Sequence, residues 1–507
     1  MPSTTLADIG SADAFPEPYS GNVYRKLGVV PLINCTATRS TYGGSNPTQR
    51  VLDAMSDAAH FFVDIDELAK GVGKSIAKLT GAQWGLVTAG STAALALAAA
   101  ACMAGNDPEA MLRLPYTAGF RHEVVVFKTH RFAYDMIMRQ VGAKLVEVSK
   151  QQDLTEALSR NPAMICMLAR AEEQGFLRLE DVKVQANGVP IVVDAASSAP
   201  RTPDPWITRG ADLVIYSGGK CIRGPQSSGF LIGRKDLCQA AWLNGPPHYG
   251  VGRGMKIGKE EMIGAVTALE DWLAGRTQDD GTDWLLLLDA ITRQLQNLPI
   301  RTEILPSNQE MGQIAPRLHV SWSAGTSISG KSVSAMVFER HRVKLQDFWL
   351  RENSLIVDPL NLQSRIEASI VGTAIAEAFQ SSNAPSCTTK STTLHEGVSG
   401  KWKITIQYLT SRSTHELDLR QRTDGTVIGA HKGRFGEGHI TGSVTDNTIV
   451  LQSKMLSDPL PVFFEFKGTK AGGFASGIVA TGAAMEEHVG PDLCTQFGTG
   501  TWEAYRI

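Results

Sequence analysis

The chain has 507 residues, 43% hydrophobic and 20% charged, with 49 glycines, a globular composition long enough for several domains that excludes disorder and a collagen-like repeat. Lysine and arginine number 49 against 51 acidic residues, and a formal net charge of -2 provides no global positive field to hold nucleic acid or an anionic bilayer, so a small-molecule partner is expected. The seven cysteines, Cys35, Cys102, Cys166, Cys221, Cys238, Cys387 and Cys494, are scattered without C-x-x-C spacing, which argues against a disulfide framework or a zinc knuckle and for a reducing, cytoplasmic compartment.

Along the chain, residues 1–20 lack a basic start followed by an apolar stretch and read as a loose arm rather than a secretory signal. From Trp84 to Gly233, short apolar, β-branched segments alternate with helix-like stretches, the pattern of a mostly parallel sheet covered by helices. The predicted strands are Trp84–Val87, Glu123–Phe127, Lys144–Val148, Ala163–Leu168, Pro190–Val193, Asp212–Tyr216 and Gly229–Ile232. The longest apolar run, Ala93–Ala104, is too short to span a bilayer and suits a buried helix, so no membrane partner is expected. Helical spacing over Lys259–Gly275 and Trp284–Leu298 predicts helices able to bridge two domains. Strand-like RTEIL, RLHVSWS and SLIVD, with helices around Ser332–His341 and Gln363–Phe379, predict a smaller α/β domain. The Ser/Thr-rich stretch Gln380–Gly397 reads as a linker. Beyond it WKITIQY, HELDLR, TVIGA, HITGSV, TIVLQS, VFFEF and FASGIV alternate in period two, as expected of an antiparallel barrel or sandwich. The expected organisation is thus an arm over 1–20, an N-terminal segment with a large domain over 21–275, a small domain over 276–379, a linker over 380–399 and a β domain over 400–507.

Chemistry concentrates in the large domain. In DLVIYSGGKCIRGPQSSGFLIG (Asp212–Gly233) an apolar strand delivers Ser217, Gly218, Gly219 and Lys220 at its end. Glycines let backbone approach a bulky ligand, and a lysine partly removed from water has a lowered pKa that suits it to form a Schiff base with an aldehyde, pyridoxal 5'-phosphate (PLP) being the obvious one. GVPIVVDAASS (Gly188–Ser198) carries Asp194 at the C-terminal end of a buried strand, where open α/β sheets place ligands, and PLP needs a carboxylate against its pyridine nitrogen. WGLVTAGSTAALALAAAACMAG (Trp84–Gly105) reads strand, turn, helix, so the N–H groups and hydroxyls of Gly90, Ser91 and Thr92 form an anion site, with ordinary helix capping as the alternative. VVVFKTHRFAYD brings His130 to the end of the next strand, in position to stack on a pyridine ring.

Phosphate cup, ring stacker, acid and lysine occur in the order presented by PLP enzymes of the aspartate-aminotransferase superfold. The stretches YRKLGVVPLINCTATRSTYGGS, FFVDIDELAKGVGKSIAKLTGAQWGLVTAGSTAALALAAAACMAG, HRFAYDMIMRQVGAKLVEV, VDAASS, DLVIYSGGKCIRGPQSSGFLIG and GVGRGMKIGKEEMIGAVTALE resemble the fold-type I PLP family that includes bacterial selenocysteine synthase and D-glucosaminate-6-phosphate ammonia-lyase-like proteins. The likeness covers roughly Tyr24 to Phe379. It implies a seven-stranded mostly parallel sheet plus a small α/β domain, with Lys220 as the Schiff-base lysine, Asp194 as the pyridinium partner, Gly90, Ser91, Thr92 and Ser217 as phosphate ligands and His130 as the ring stacker.

On the substrate side, GVGRGMKIGK (Gly250–Lys259) places Arg253, Lys256 and Lys259 three apart in a glycine-containing loop suited to gripping carboxylate or phosphate, and Arg39, Tyr42 and Arg223 are further anion-binding candidates. In this superfold the N-terminal segment folds over the cofactor and the site commonly lies at a dimer interface, so a homodimer or higher homo-oligomer is expected. The β domain departs from the family pattern. Its His415, His431 and His439, with Glu437, fit no metal signature and read as exposed loop residues, and no metal is expected. The expected function is a PLP-dependent lyase acting on an amino acid or amino sugar acid by α-proton abstraction and α,β-elimination. Racemase or aldolase chemistry is the alternative, and a non-catalytic PLP-fold binding protein is the alternative of another class.

Overall fold

The computed structural model describes residues 23–278, 283–308, 313–324, 326, 328–346, 350–382, 397–456, 461–483 and 497–507. The expected arm over 1–20 and residues 383–396 of the expected linker lie outside them. In chain order, β1 (Ile33–Cys35), α1 (Gln49–Ala59) and α2 (Ile65–Thr80) precede the alternating region. That region contains β2 (Trp84–Thr88), α3 (Gly90–Ala104), α4 (Pro108–Arg113), β3 (Glu123–Phe127), α5 (Met136–Gln140), β4 (Lys144–Val148), α6 (Gln151–Ser159) and β5 (Met164–Leu168). It continues through α7 (Leu179–Gln185), β6 (Ile191–Asp194), α8 (Pro205–Thr208), β7 (Leu213–Ser217), β8 (Gly229–Gly233) and α9 (Lys235–Asn244). Next come α10 (Lys259–Leu273), α11 (Trp284–Leu295), β9 (Ile300–Leu305), β10 (Arg317–Trp322), α12 (Gly330–His341), β11 (Val343–Leu345), β12 (Ser354–Val357) and α13 (Arg365–Ser382). The C-terminal strands are β13 (Gly400–Gln407), β14 (Arg412–Gln421), β15 (Thr426–Lys432), β16 (Glu437–Thr445), β17 (Thr448–Met455), β18 (Val462–Ala471), β19 (Phe474–Ala483) and β20 (Gly498–Arg506).

Each of the strands expected between Trp84 and Gly233 forms, and together they build a 7-stranded sheet in the order β2-β8-β7-β6-β5-β3-β4. Its strands pair in parallel from β4 to β7, while β8 runs antiparallel to both β7 and β2. β2, β5 and β8, buried along their whole length, read as continuous apolar runs, while the edge strand β4 carries exposed Lys144 and Glu147. The alanine-rich helix α3 is buried from Ala93 to Ala104, because methyl side chains let its backbone lie close to neighbours on every side.

The described residues divide into two compact units, one from residues within 23–52, 219–226 and 267–382, the other from residues within 53–218, 227–266 and 397–507. Within the first unit, β1 pairs in parallel with β11 through Ile33↔Val343 and Cys35↔Leu345, which ties the N-terminal segment to the strands and helices after residue 275. Helix α10 starts in one unit and ends in the other. Helix α13 runs to Ser382, into the first residues of the expected linker. The small domain has its own core, with Leu288, Ile291, Val333, Leu355 and Val371 among its buried residues, over the antiparallel sheet β12-β10-β9.

The C-terminal strands close into a barrel, β13 through β20 in sequential order, sealed by antiparallel pairing of β13 with β20. Of the two expected architectures this is the barrel, and the strand that closes it, β20, was not among those expected. Side chains alternate inward and outward, and Trp402, Ile404, Leu417, Phe466 and Trp502 fill a separate core. Two expected loop histidines are here instead. His415 on β14 and His431 on β15 point inward, 6% and 0% exposed, because period-two alternation places them on the same face as Leu417, Leu419 and Val427. His415 Nδ1 and His431 Nε2 lie 2.7 Å apart, and Ser453 Oγ is 2.7 Å from His431 Nδ1, so the buried rings are hydrogen-bonded. His439 and Glu437, on β16, are exposed as expected.

Candidate active site

Strands β2, β6 and β7 share a direction, so their C-terminal ends reach one edge of the sheet, where the N-terminal end of β8 also lies. Thr88, Gly229 and Ser217 stand opposite one another in register across β2, β8 and β7. Asp194 ends β6, facing Leu168 on one neighbour and Ile215 on the other. This edge is the carboxyl-end crevice where open α/β sheets take ligands.

Close approach at the edge depends on glycine. A Cβ on Gly229 would lie 2.3 Å from the Gly90 carbonyl carbon and 2.4 Å from the Ser91 nitrogen, and one on Gly218 would lie 2.0 Å from Ser228 Oγ. Gly90 takes φ +82, open to a residue without Cβ. Its helix, α3, has Ala89 as N-cap, which offers no side-chain acceptor, and no acidic residue in the first turn. Ordinary capping by Ser91 or Thr92 is therefore not what occupies this helix start, and its first-turn N–H groups suit an anion. Asp194 is 5% exposed, and its Oδ1 accepts the Ala196 N–H at 2.9 Å. Glycine cradle, uncapped helix start and buried carboxylate are a donor and acceptor set that fits the phosphate and pyridine nitrogen of PLP.

His130 lies beyond the end of β3, as expected. It follows β3 in a short 3-10 turn, is 2% exposed, and lies 4.9 Å from the Phe127 ring in a stacked arrangement. Its Nδ1 accepts the Leu168 N–H at 3.2 Å, and burial pushes the imidazole pKa down to about 4. The ring thus joins β3 to the end of β5 through its Nδ1 edge and packs one face on Phe127.

The loop between α9 and α10 is also shaped by glycine. A Cβ on Gly252 would meet Leu97 of α3 at 2.4 Å, and one on Gly250 would meet the Asn244 carbonyl at 2.5 Å. Arg253 and Lys256 make no ion pair or side-chain hydrogen bond with the described residues. Lys259 is committed elsewhere, since its Nζ donates to the Ala58 carbonyl at 2.7 Å and pairs with Glu260.

Within the other unit, the segment carrying Lys220 is held by the N-terminal segment. Ser45 Oγ donates to the Lys220 carbonyl at 2.7 Å and Ser45 N–H to the Gly219 carbonyl at 3.1 Å. Arg223, at φ +56, donates its N–H to the Lys220 carbonyl at 3.0 Å and its Nε to the Asn46 carbonyl at 3.0 Å. The Arg39 carbonyl accepts the Tyr42 and Gly44 N–H groups at 3.0 Å, which shapes the turn, and the Lys344 ammonium stands 5.6 Å from the Tyr42 ring. Residues that local pattern did not mark surround this segment. Gln346 Nε2 donates to the Thr36 carbonyl at 2.9 Å, and Asn361 Nδ2 donates to the carbonyls of Ala37 at 2.8 Å and Gly44 at 3.2 Å. They pin a backbone in which Ala37 adopts φ +59, a strained value for a residue with Cβ. Only the β1–β11 pairing brings residues some three hundred positions apart to this place, and the sequence offers no local signal for it.

Sheet order, glycine cradle and buried carboxylate together define an aspartate-aminotransferase-like PLP fold. No family model matches the chain. It is 34% identical over 269 residues to D-glucosaminate-6-phosphate ammonia lyase of Salmonella typhimurium, covering 50% of this chain and 71% of that protein. It is 29% identical over 367 residues to a 5'-C-glycyluridine monooxygenase-decarboxylase of Streptomyces, covering 69% of this chain and 90% of that protein. A solved structure of D-glucosaminate-6-phosphate ammonia-lyase superposes with a TM-score of 0.63 at 27% identity, over 72% of this chain and 99% of that one. The chain belongs to the fold-type I PLP enzyme family that contains this ammonia lyase.

Proposed function

We propose that the protein is a PLP-dependent lyase that releases ammonia from an amino acid or amino sugar acid by α-proton abstraction and α,β-elimination. The carrying observation is the sheet edge at which the uncapped start of α3, the buried Asp194 and the glycines before Lys220 are delivered by β2, β6 and β7, in a chain 34% identical to an ammonia lyase. PLP, when bound, supplies a ring that accepts the electrons left by α-proton removal. The N–H groups of Gly90, Ser91 and Thr92, with Ser217, hold the phosphate. The Asp194 carboxylate keeps a proton on the pyridine nitrogen. Lys220 Nζ would hold the aldehyde carbon and would serve as the base that takes the proton from the substrate Cα. We assign Arg253 and Lys256 to the anionic end of the substrate, with Arg39, Tyr42 and Arg223 as further anion ligands. Among the described residues no helix is long and apolar enough to cross a membrane. We place the enzyme in the cytoplasm as a homo-oligomer.

A panel of D-glucosaminate 6-phosphate and common amino acids, assayed for ammonia and keto-acid release with chiral analysis of recovered substrate, tests the reading. Keto acid with stoichiometric ammonia supports it; racemised substrate alone replaces it with racemase chemistry. The similarity to a monooxygenase-decarboxylase spans more of the chain, so carbon dioxide release and oxygen uptake belong in the same assay, and their appearance without ammonia favours that second reading.

A further inference from the structure

The Gly250–Gly258 loop presents Arg253 and Lys256, which make no ion pair among the described residues, yet it is neither helix nor strand, and loop residues grip an anion only if the backbone holds them still. Its first half is fixed by packing: Gly252 lies against Leu97 of α3, and its N–H donates to the Asn244 carbonyl at 2.9 Å. Its second half is held by Glu261, in the first turn of α10. Glu261 Oε2 accepts the Gly258 N–H at 2.7 Å, and Glu261 Oε1 accepts Ser227 Oγ at 2.5 Å. Ser227 is two residues before Gly229, the residue whose missing Cβ admits the backbone of Gly90 and Ser91.

One carboxylate thus spans two chain segments, the end of the basic loop and the segment lying against the start of α3. Neither Ser227 nor Gly258 is a cation, so the carboxylate is used as a two-pronged acceptor rather than as an ion-pair partner. Carboxylates hold N–H and O–H donors more strongly than neutral acceptors do, which suits the group to fixing a loop.

We propose that Glu261 is a positioning residue that fixes Arg253 and Lys256 beside the helix start of α3, so that the loop binds the anionic group of the substrate. This rests on the reading of Arg253 and Lys256 as anion ligands. Glu261 touches neither substrate nor cofactor; it acts through the backbone of Gly258. Its negative charge opposes anion binding while its geometry promotes it, and the two effects have opposite signs in a measurement.

The test is calorimetric titration of the full-length, PLP-loaded protein with inorganic phosphate. Arg253→Ala should weaken phosphate binding; if it leaves the affinity unchanged, the anion-ligand reading itself fails. Glu261→Ala should weaken binding about tenfold, in keeping with the loss of hydrogen bonds to a charged group. Glu261→Gln should stay within about threefold of the parent, because an amide can still accept from Gly258 N–H and donate to Ser227 Oγ. Ser227→Ala, which removes one prong and leaves the fold undisturbed, should fall between them. In the Glu261→Ala/Arg253→Ala protein the losses should not add, because both act on one loop. Tighter phosphate binding by Glu261→Ala would show that only its charge matters, and additive losses that it acts elsewhere; either result overturns the proposal while leaving the anion-ligand reading in place.

Discussion

At the scale of single residues, the assignment turns on Lys220 and Asp194. The purified protein should show the visible absorption of a PLP–lysine linkage, and Lys220→Ala should lose it. Borohydride reduction followed by peptide mapping should place the pyridoxyl group on Lys220, and its recovery on another lysine would refute the assignment. Asp194→Asn should retain PLP while turnover falls about a thousandfold, since an amide cannot keep the pyridine nitrogen protonated and an electrostatic contact of this kind is worth two to three orders of magnitude in rate. Cofactor content and rate, measured on the same preparation, separate the two effects. Turnover at the parent rate would remove Asp194 from the chemistry.

At the scale of elements, the start of α3 is shaped by the backbone that lies against it. An added Cβ at Gly229 meets main-chain atoms of Gly90 and Ser91, which cannot move without shifting the helix start. Gly229→Ala should therefore cost about 1–3 kcal/mol of stability and lower PLP retention. An added Cβ at Gly218 meets Ser228 Oγ most closely, a side-chain atom able to rotate, so Gly218→Ala should be milder in both respects. Thermal unfolding with cofactor content after gel filtration ranks the two. Equal behaviour would show that the approach of β8 to α3 does not set the site. The same scale places His130: the turn after β3 carries it to the end of β5, where its Nδ1 accepts the Leu168 N–H and Phe127 stacks on one face.

At the scale of the whole molecule, the barrel has a core of its own, and the residues proposed for PLP all precede α13. Deleting Gly400–Ile507 should leave cofactor absorption intact; soluble, folded protein unable to bind PLP would show that the barrel completes the site. The barrel should also be the acid-sensitive part. Burial pushes the His431 pKa down to about 3, helped by the neighbouring His415, and desolvation lowers that of His415 too. Above the unfolded value near 6.5 both states are neutral and stability is complete. As pH falls below it, the unfolded chain takes up protons that the barrel refuses, so stability drops by about 1.4 kcal/mol per pH unit for each histidine until the folded pKa is reached. Hydrogen exchange of barrel peptides in the intact chain should accelerate between pH 7 and pH 5 after correction for intrinsic rates, and His415→Leu/His431→Leu should flatten that dependence. A slope unchanged in the double variant would place the sensitivity elsewhere.

The sequence by itself determined the elements whose signal is local. The strands from Trp84 to Gly233 are continuous apolar runs between glycine-rich turns, so their limits fall within a residue or two of the observed ones. The order cup, acid, lysine is likewise carried by short segments. Tertiary structure decided whatever depends on pairing between distant segments. β20 escaped notice because only Trp502 and Ala504 mark its inward face, yet its register with β13 closes the barrel. The attachment of the N-terminal segment to the small domain follows from β1 meeting β11, and the separation of Lys259 from Arg253 and Lys256 follows from the Ala58 carbonyl that Lys259 reaches. Periodicity specifies which face of an element is apolar; the other element that covers that face is fixed only when the chain closes on itself, because the contact energy belongs to the pair.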